Sequence, residues 1–168
     1  MDAPEDKQVE KAKRDIAGVI APPPLIYLAF LVIGLVSSRL WPLTAFGDSV
    51  PGSVRIPLGA LLVAAGLAAA VTGFRQFRAA GTEVNPHRPT TALVSGGLYR
   101  FSRNPLYLAL TSIYAGIASA ADSLWALLLL VPALIVMRYG VIAREEAYLE
   151  RKFGEAYRRY KQAVRRWL

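Results

Sequence analysis

The sequence predicts an all-α polytopic membrane protein, with about four transmembrane helices followed by a C-terminal cytosolic or interfacial amphipathic helix. Three observations predict it. Of the 168 residues, 54% are hydrophobic, above the roughly 45–50% usual in soluble domains, and mean hydropathy is +0.34. The charged residues, 19% of the chain, cluster between long apolar tracts. The formal net charge of +8 flanks those tracts, which suits anionic lipid at a cytoplasmic leaflet rather than nucleic acid. No zinc-finger or RNA-binding signature accompanies it.

Residues 1–20 mix acids and bases without the basic start of a signal peptide, and read as a mobile or surface-lying cytoplasmic segment. The transmembrane domain covers residues 21–142. Its first span runs from about Pro24 to Leu43, introduced by Pro22-Pro23-Pro24, with Arg39 and Trp41-Pro42 at the far interface. The second span, about Ile56 to Phe74, carries Gly59, Gly66 and Gly73 with Ala70, a small-residue stripe that allows close helix packing in lipid. Spans three and four run from about Pro105 to Ala121 and from about Leu124 to Ile142, with Pro132 inside the latter. Only Asp122-Ser123 separates them, so they form a tight hairpin that Asp122 caps. Each span is of the length needed to cross a hydrocarbon core of about 30 Å.

Residues 143–168 form the C-terminal helical segment. Leu149 and Phe153 share a face, Gly154 breaks or bends the helix, and Tyr157, Tyr160, Val164 and Trp167 recur at helical spacing opposite arginine and lysine. Residues 155–168 therefore read as an amphipathic helix on the membrane surface. Orientation follows the basic residues. Arg75, Arg78, Arg88, Arg100 and Arg103 lie between spans two and three, and nine basic residues lie from Arg138 to Arg166. Both termini and the central loop are expected on the cytoplasmic side, in a bacterial inner membrane.

The chemistry left to this chain is narrow. It has no cysteine and one histidine, His87, which excludes disulfides, thiolate nucleophiles and a His- or Cys-rich metal site. His87 sits in the turn-rich stretch Gly81–Thr91 and reads as a loop histidine; that stretch is either a plain loop or a lid. Two features go beyond topology signals. In GLYRFSRNPLYLAL, Gly97–Leu110, Pro105 suits the first turn of a helix. Arg103 and Asn104 then stand at the helix N-terminus, where free N–H groups, the dipole and a guanidinium favour an anion. Glu145-Glu146 follow the last span, where carboxylates need water or partners such as Arg144 and Arg151. An anion site and a cation site on one face would together fit a zwitterionic amino-acid moiety.

The pattern G-x-Y-x-x-x-R-N-P-x-Y, at Gly97, Tyr99, Arg103, Asn104, Pro105 and Tyr107, resembles the signature of the isoprenylcysteine carboxyl methyltransferase family. The run E-E-x-x-L-x-x-x-F-G-x-x-Y-x-x-Y, Glu145 to Tyr160, resembles that family's C-terminal motif, and phospholipid N-methyltransferases share the general plan. The likeness covers roughly residues 55–168. It implies S-adenosylmethionine as donor, with S-adenosylhomocysteine as product, and a cytosolic site between the loop before span three and the tail. The resemblance places Arg103 and Asn104 near the donor's carboxylate and Glu145 and Glu146 near its amino group or ribose. It has Tyr99, Pro105 and Tyr107 shape the adenosine pocket, with Gly97 in the same binding loop. Arg103, Asn104 and Glu146 are the candidates for the catalytic group. Asn104 stands where many members have histidine and Leu98 where many have proline, and an asparagine cannot act as a base near neutrality.

The acceptor implied is lipophilic or membrane-permeant. An isoprenylcysteine-like carboxylate stands first by resemblance, with a phospholipid amine or small thiol as alternatives. No metal is implied. The competing class is a non-catalytic membrane scaffold or lipid-binding protein.

Overall fold

The computed structural model describes residues 15–83 and 88–168. Six α-helices build it, and no strand occurs among the described residues. Helix α1 is Pro23–Leu40, α2 Gly52–Ala79, α3 Pro105–Ala120 and α4 Leu124–Met137. A π-helical turn, Arg138–Ile142, leads without a break into α5, Ala143–Phe153, and α6 is Glu155–Ala163. Short 3-10 turns at Gly47–Ser49 and Gly97–Arg100 punctuate the connections.

Pro23–Leu40, Gly52–Ala79 and Leu124–Phe153 are long and apolar enough to cross a membrane. The fourth apolar helix, α3, has 16 residues, or about 24 Å at 1.5 Å per residue. Outward-facing Leu28, Val32, Leu61, Leu67, Val71, Leu128 and Ile135 are exposed. In water that would be an untenable surface; in lipid it is the expected one. This is an all-α membrane protein.

The helices associate chiefly as two pairs, α2 with α3 and α1 with α4. Close approach explains both. A side chain at Gly59 would stand 2.5 Å from the Gly116 carbonyl oxygen, and one at Gly34 would stand 2.5 Å from the Ala126 Cα. Gly66 and Gly73 of the stripe are also buried against α3, so the stripe serves packing, as lipid-embedded helices require. Polar side chains fasten the bundle, between the pairs at Tyr27–Thr111 and within the α1–α4 pair at Ser38–Ser123. Tyr27 Oη and Thr111 Oγ1 share a hydrogen bond of 2.9 Å, and Ser38 and Ser123 hydroxyls share one of 2.6 Å.

At the far end the α3–α4 hairpin turns on Asp122, whose φ of 53° is in the left-handed region that aspartate tolerates better than most residues. Its carboxylate accepts from Ala45 N (3.0 Å) and Phe46 N (2.8 Å) and pairs with Arg55. The sequence anticipated a cap within the hairpin; the carboxylate instead ties the hairpin to the α1–α2 connection.

Residues 15–20 depart from the surface-lying segment expected there. Val19 is buried in the core, Ile20 N donates to the Gly140 carbonyl (3.2 Å), and Arg144 Nη1 donates to the Gly18 carbonyl (2.8 Å). Apolar Val19 and Ile20 find a site beside the π turn, where Gly140 leaves room. The rest of that segment, 1–14, is outside the described residues.

Candidate active site

A cavity of about 580 Å³ opens where α5, the 88–104 loop and the near ends of α1–α3 converge. It lies in the range usual for small-molecule sites, roughly 300–1,000 Å³. One end is polar, with Arg103, Asn104, Glu145, Glu146 and Tyr157. The other is apolar, with Pro23, Pro24, Ala70, Phe74, Leu106 and Leu110.

Local sequence explains how each polar group arrives. Gly97 has φ 58°, which glycine adopts without strain, and a side chain there would collide with Gln76. Gln76 Oε1 accepts from Leu98 N at 3.2 Å, so the loop is pinned to the end of α2. Pro105 then opens α3 at its first position, and Asn104 is the residue before the helix but makes no side-chain cap. Its Nδ2 donates to the Arg166 carbonyl at 3.0 Å. On the opposite wall, the π turn at Arg138–Ile142 adds a residue to the turn and so re-phases the helix; such turns recur at functional sites. After it, Glu146 faces inward, 8% exposed, with Glu145 beside it in the cavity wall.

The two glutamates have different partners. Glu146 Oε1 accepts from Arg166 Nε (3.0 Å) and its Oε2 from Arg166 Nη2 (2.6 Å), a fork-to-fork pair. Arg103 Nη1 lies 2.9 Å from Glu146 Oε1, but without hydrogen-bond alignment: Arg103 Nε and Nη1 are buried and unbonded. Glu145 Oε1 accepts from Tyr107 Oη at 2.7 Å, and among the described residues no basic side chain pairs with Glu145. The partners expected from sequence, Arg144 and Arg151, are not used: Arg144 binds Gly18 and Arg151 is exposed.

The tail closes the site instead of lying free on a surface. Gly154, with φ 52°, reverses the chain between α5 and α6, which buries Tyr157. Tyr160 Oη donates to the Tyr99 carbonyl (2.7 Å), and Arg103 N donates to the Arg165 carbonyl (3.0 Å). Ser102 Oγ donates to the Arg166 carbonyl (3.2 Å) and accepts from Asn104 N (3.1 Å). Burial pushes the Tyr157 phenol up to about 12, with Glu146 adding to the shift and Arg103 opposing it. Tyr99 and Tyr160 are also raised, chiefly by burial. These phenols stay protonated at neutral pH.

Of the sequence candidates, Tyr99, Arg103, Asn104, Tyr107, Glu145 and Glu146 all line the cavity, whereas Gly97 and Pro105 do not and instead shape the loop and the start of α3. From the Gly81–Thr91 stretch, Glu83 and Thr90 line it too, and Thr90 N donates to Tyr148 Oη at 3.0 Å. His87 is outside the described residues. Arg166, Ser102 and Tyr148 escaped sequence reasoning. Tyr157 and Tyr160 lay in the quoted motif but were read as one face of a surface helix; only the positive φ at Gly154 turns them inward.

The family model described as phospholipid methyltransferase matches residues 54–156, from the start of α2 to the first turn of α6. The chain belongs to the phospholipid methyltransferase family. In this family member the matched range holds Arg103, Asn104 and Tyr107 as well as Glu145-Glu146, which line the cavity. An uncharacterized protein of Haemophilus influenzae is 66% identical over 35 residues, which are 21% of this chain and 56% of that protein. The chain thus spans little more than half the length of that relative. No solved structure matches it.

Proposed function

We propose that the protein is an S-adenosylmethionine-dependent methyltransferase of a bacterial inner membrane, acting on the polar head of an amphiphile. The observation that carries the reading is the meeting, in one cavity, of Arg103, which shares the single carboxylate of Glu146 with Arg166, and Glu145, which has no cationic partner among the described residues. A buried charge without full compensation is unfavourable, and a ligand bearing both a carboxylate and an ammonium would satisfy both groups.

When bound, S-adenosylmethionine supplies a methyl group already activated on a sulfonium. The chain's own work is then to hold, orient and exclude water. Arg103 receives a carboxylate and Glu145 an ammonium, with the Tyr99 and Tyr157 phenols beside them, while Tyr160 fastens α6 to the Tyr99 carbonyl. Asn104 fixes the tail through the Arg166 carbonyl, with no proton to take. Positioning two reactants in one dry cleft can supply much of the barrier reduction.

The acceptor meets the apolar lining supplied by the start of α1, the end of α2 and the first turns of α3. That lining (Pro23, Pro24, Ala70, Phe74, Leu106 and Leu110) carries no base, which suits an acceptor that arrives as an anion, such as an isoprenylcysteine-like carboxylate. The family's description favours a second reading, a phospholipid amine, which would react as the free amine and lose its proton to water after transfer.

Calorimetric titration of the detergent-solubilised protein with S-adenosylhomocysteine tests the donor. Saturable one-to-one binding is expected; no heat would end the reading and leave a lipid-binding scaffold. Labelled methyl transfer into a lipid extract then sorts the acceptor, since an ester is base-labile and a methylamine is not.

A further inference from the structure

Arg166 lies beyond the residues that the family model matches, in a segment whose sequence reads as the basic face of a surface helix. Yet both ends of this residue reach the site. Its carbonyl accepts from Asn104 and Ser102, while its guanidinium takes both oxygens of Glu146.

The consequence falls on Arg103. With its side chain only 9% exposed, Arg103 sits 2.9 Å from a carboxylate that, alone with it, would bond to it and neutralise it. The Arg166 fork bonds both oxygens of that carboxylate, so Arg103 shares it with a second cation, ion-paired at Nη1 but with no aligned hydrogen bond from Nε or Nη1. Two guanidinium groups and one carboxylate also leave an excess positive charge where the cavity is polar. Burial strengthens the attraction of that charge for an anion.

Resting on the donor reading above, we infer that Arg166 is a positioning residue: by taking both oxygens of Glu146 it keeps that carboxylate from fully neutralising Arg103, whose remaining charge receives the carboxylate of an amino-acid-bearing ligand. Its action is selective. It bears on the amino-acid end of the ligand and leaves the adenosine end alone.

The test compares two probes, S-adenosylhomocysteine and 5′-methylthioadenosine, which keeps the adenosine and thioether but lacks the amino-acid group. In R166Q, affinity for S-adenosylhomocysteine should fall about tenfold, the size of one charge-assisted hydrogen bond, and that for 5′-methylthioadenosine should hold. In E146Q/R166Q, Arg103 no longer has a carboxylate to neutralise it, and affinity should return to within about threefold of wild type. R166K, which keeps the charge but loses the fork, should fall between, and it preserves the comparison if R166Q folds poorly. Equal loss of both probes, or no recovery in the double variant, would show Arg166 to be merely structural and overturn the inference. Wild-type protein that binds neither probe would instead overturn the donor reading itself.

Discussion

Glu145 and Glu146 are adjacent in sequence, yet they do different work because they point to different partners. Glu146 is consumed by two arginines, one of them twenty residues on, and acts as the hub that holds tail to loop. Glu145 keeps a single phenol, Tyr107, and faces the cavity. For Glu145→Gln we expect S-adenosylhomocysteine affinity to fall about tenfold, and for Tyr107→Phe about threefold, since Tyr107 only orients the carboxylate. Titration of both variants checks it; the reverse order would place Tyr107, not Glu145, against the ligand. Sequence alone suggested that both glutamates were special. It could not separate them, because the difference lies in a π turn and in a partner brought back by Gly154, and neither leaves a periodic trace.

At the scale of elements, the near-end site depends on a far-end clasp. Asp122 joins the α3–α4 hairpin to the α1–α2 connection, and the Phe46 N–H above all, with Arg55 adding, holds its carboxyl below the usual range. A depressed carboxylate stabilises the fold above the unfolded value, near 3.9, and that contribution is lost as pH falls through the folded value. Asp122→Asn should therefore melt lower than wild type at about pH 7, and the gap should close in acid as the wild-type carboxyl protonates. Thermal unfolding in detergent at both pH values measures it; a gap that is constant with pH would refute the charge-based account. The helices themselves were largely legible, because lipid demands apolar runs of fixed length and the Gly59–Gly66–Gly73 stripe announced its packing face. Their ends were less so. α1 stops at Leu40, not Leu43, and α2 runs on to Ala79, where polar Arg75, Gln76 and Arg78 hide a helix that continues past the apolar run.

The whole molecule reads as a membrane bundle with a polar chamber on one end, closed by a strap of non-helical chain from Val164 to Arg166. Why the strap was invisible is physical: its contacts run from main-chain carbonyls at Arg165 and Arg166 to a loop sixty residues earlier, and carbonyls carry no sequence signature. Composition gave the bilayer, and the paired motifs gave both walls of the chamber. The lock between them came only from the folded chain.

The shortness of α3 has a consequence of its own. At about 24 Å it falls several ångströms short of a hydrocarbon core of about 30 Å, and its far end is tethered through Ser123 to α1 and through Asp122 to the α1–α2 connection. A bilayer that matched α3 would thin on the Asn104 side and bring headgroups and water towards the chamber. Such a mismatch is charged at fractions of a kcal/mol per ångström. Methyl transfer in reconstituted vesicles should accordingly be fastest in short-chain lipids and decline as acyl length grows, while donor affinity in detergent gives the reference. The thickness of the host bilayer would then set how readily a water-soluble donor and a lipid-borne acceptor reach the same depth.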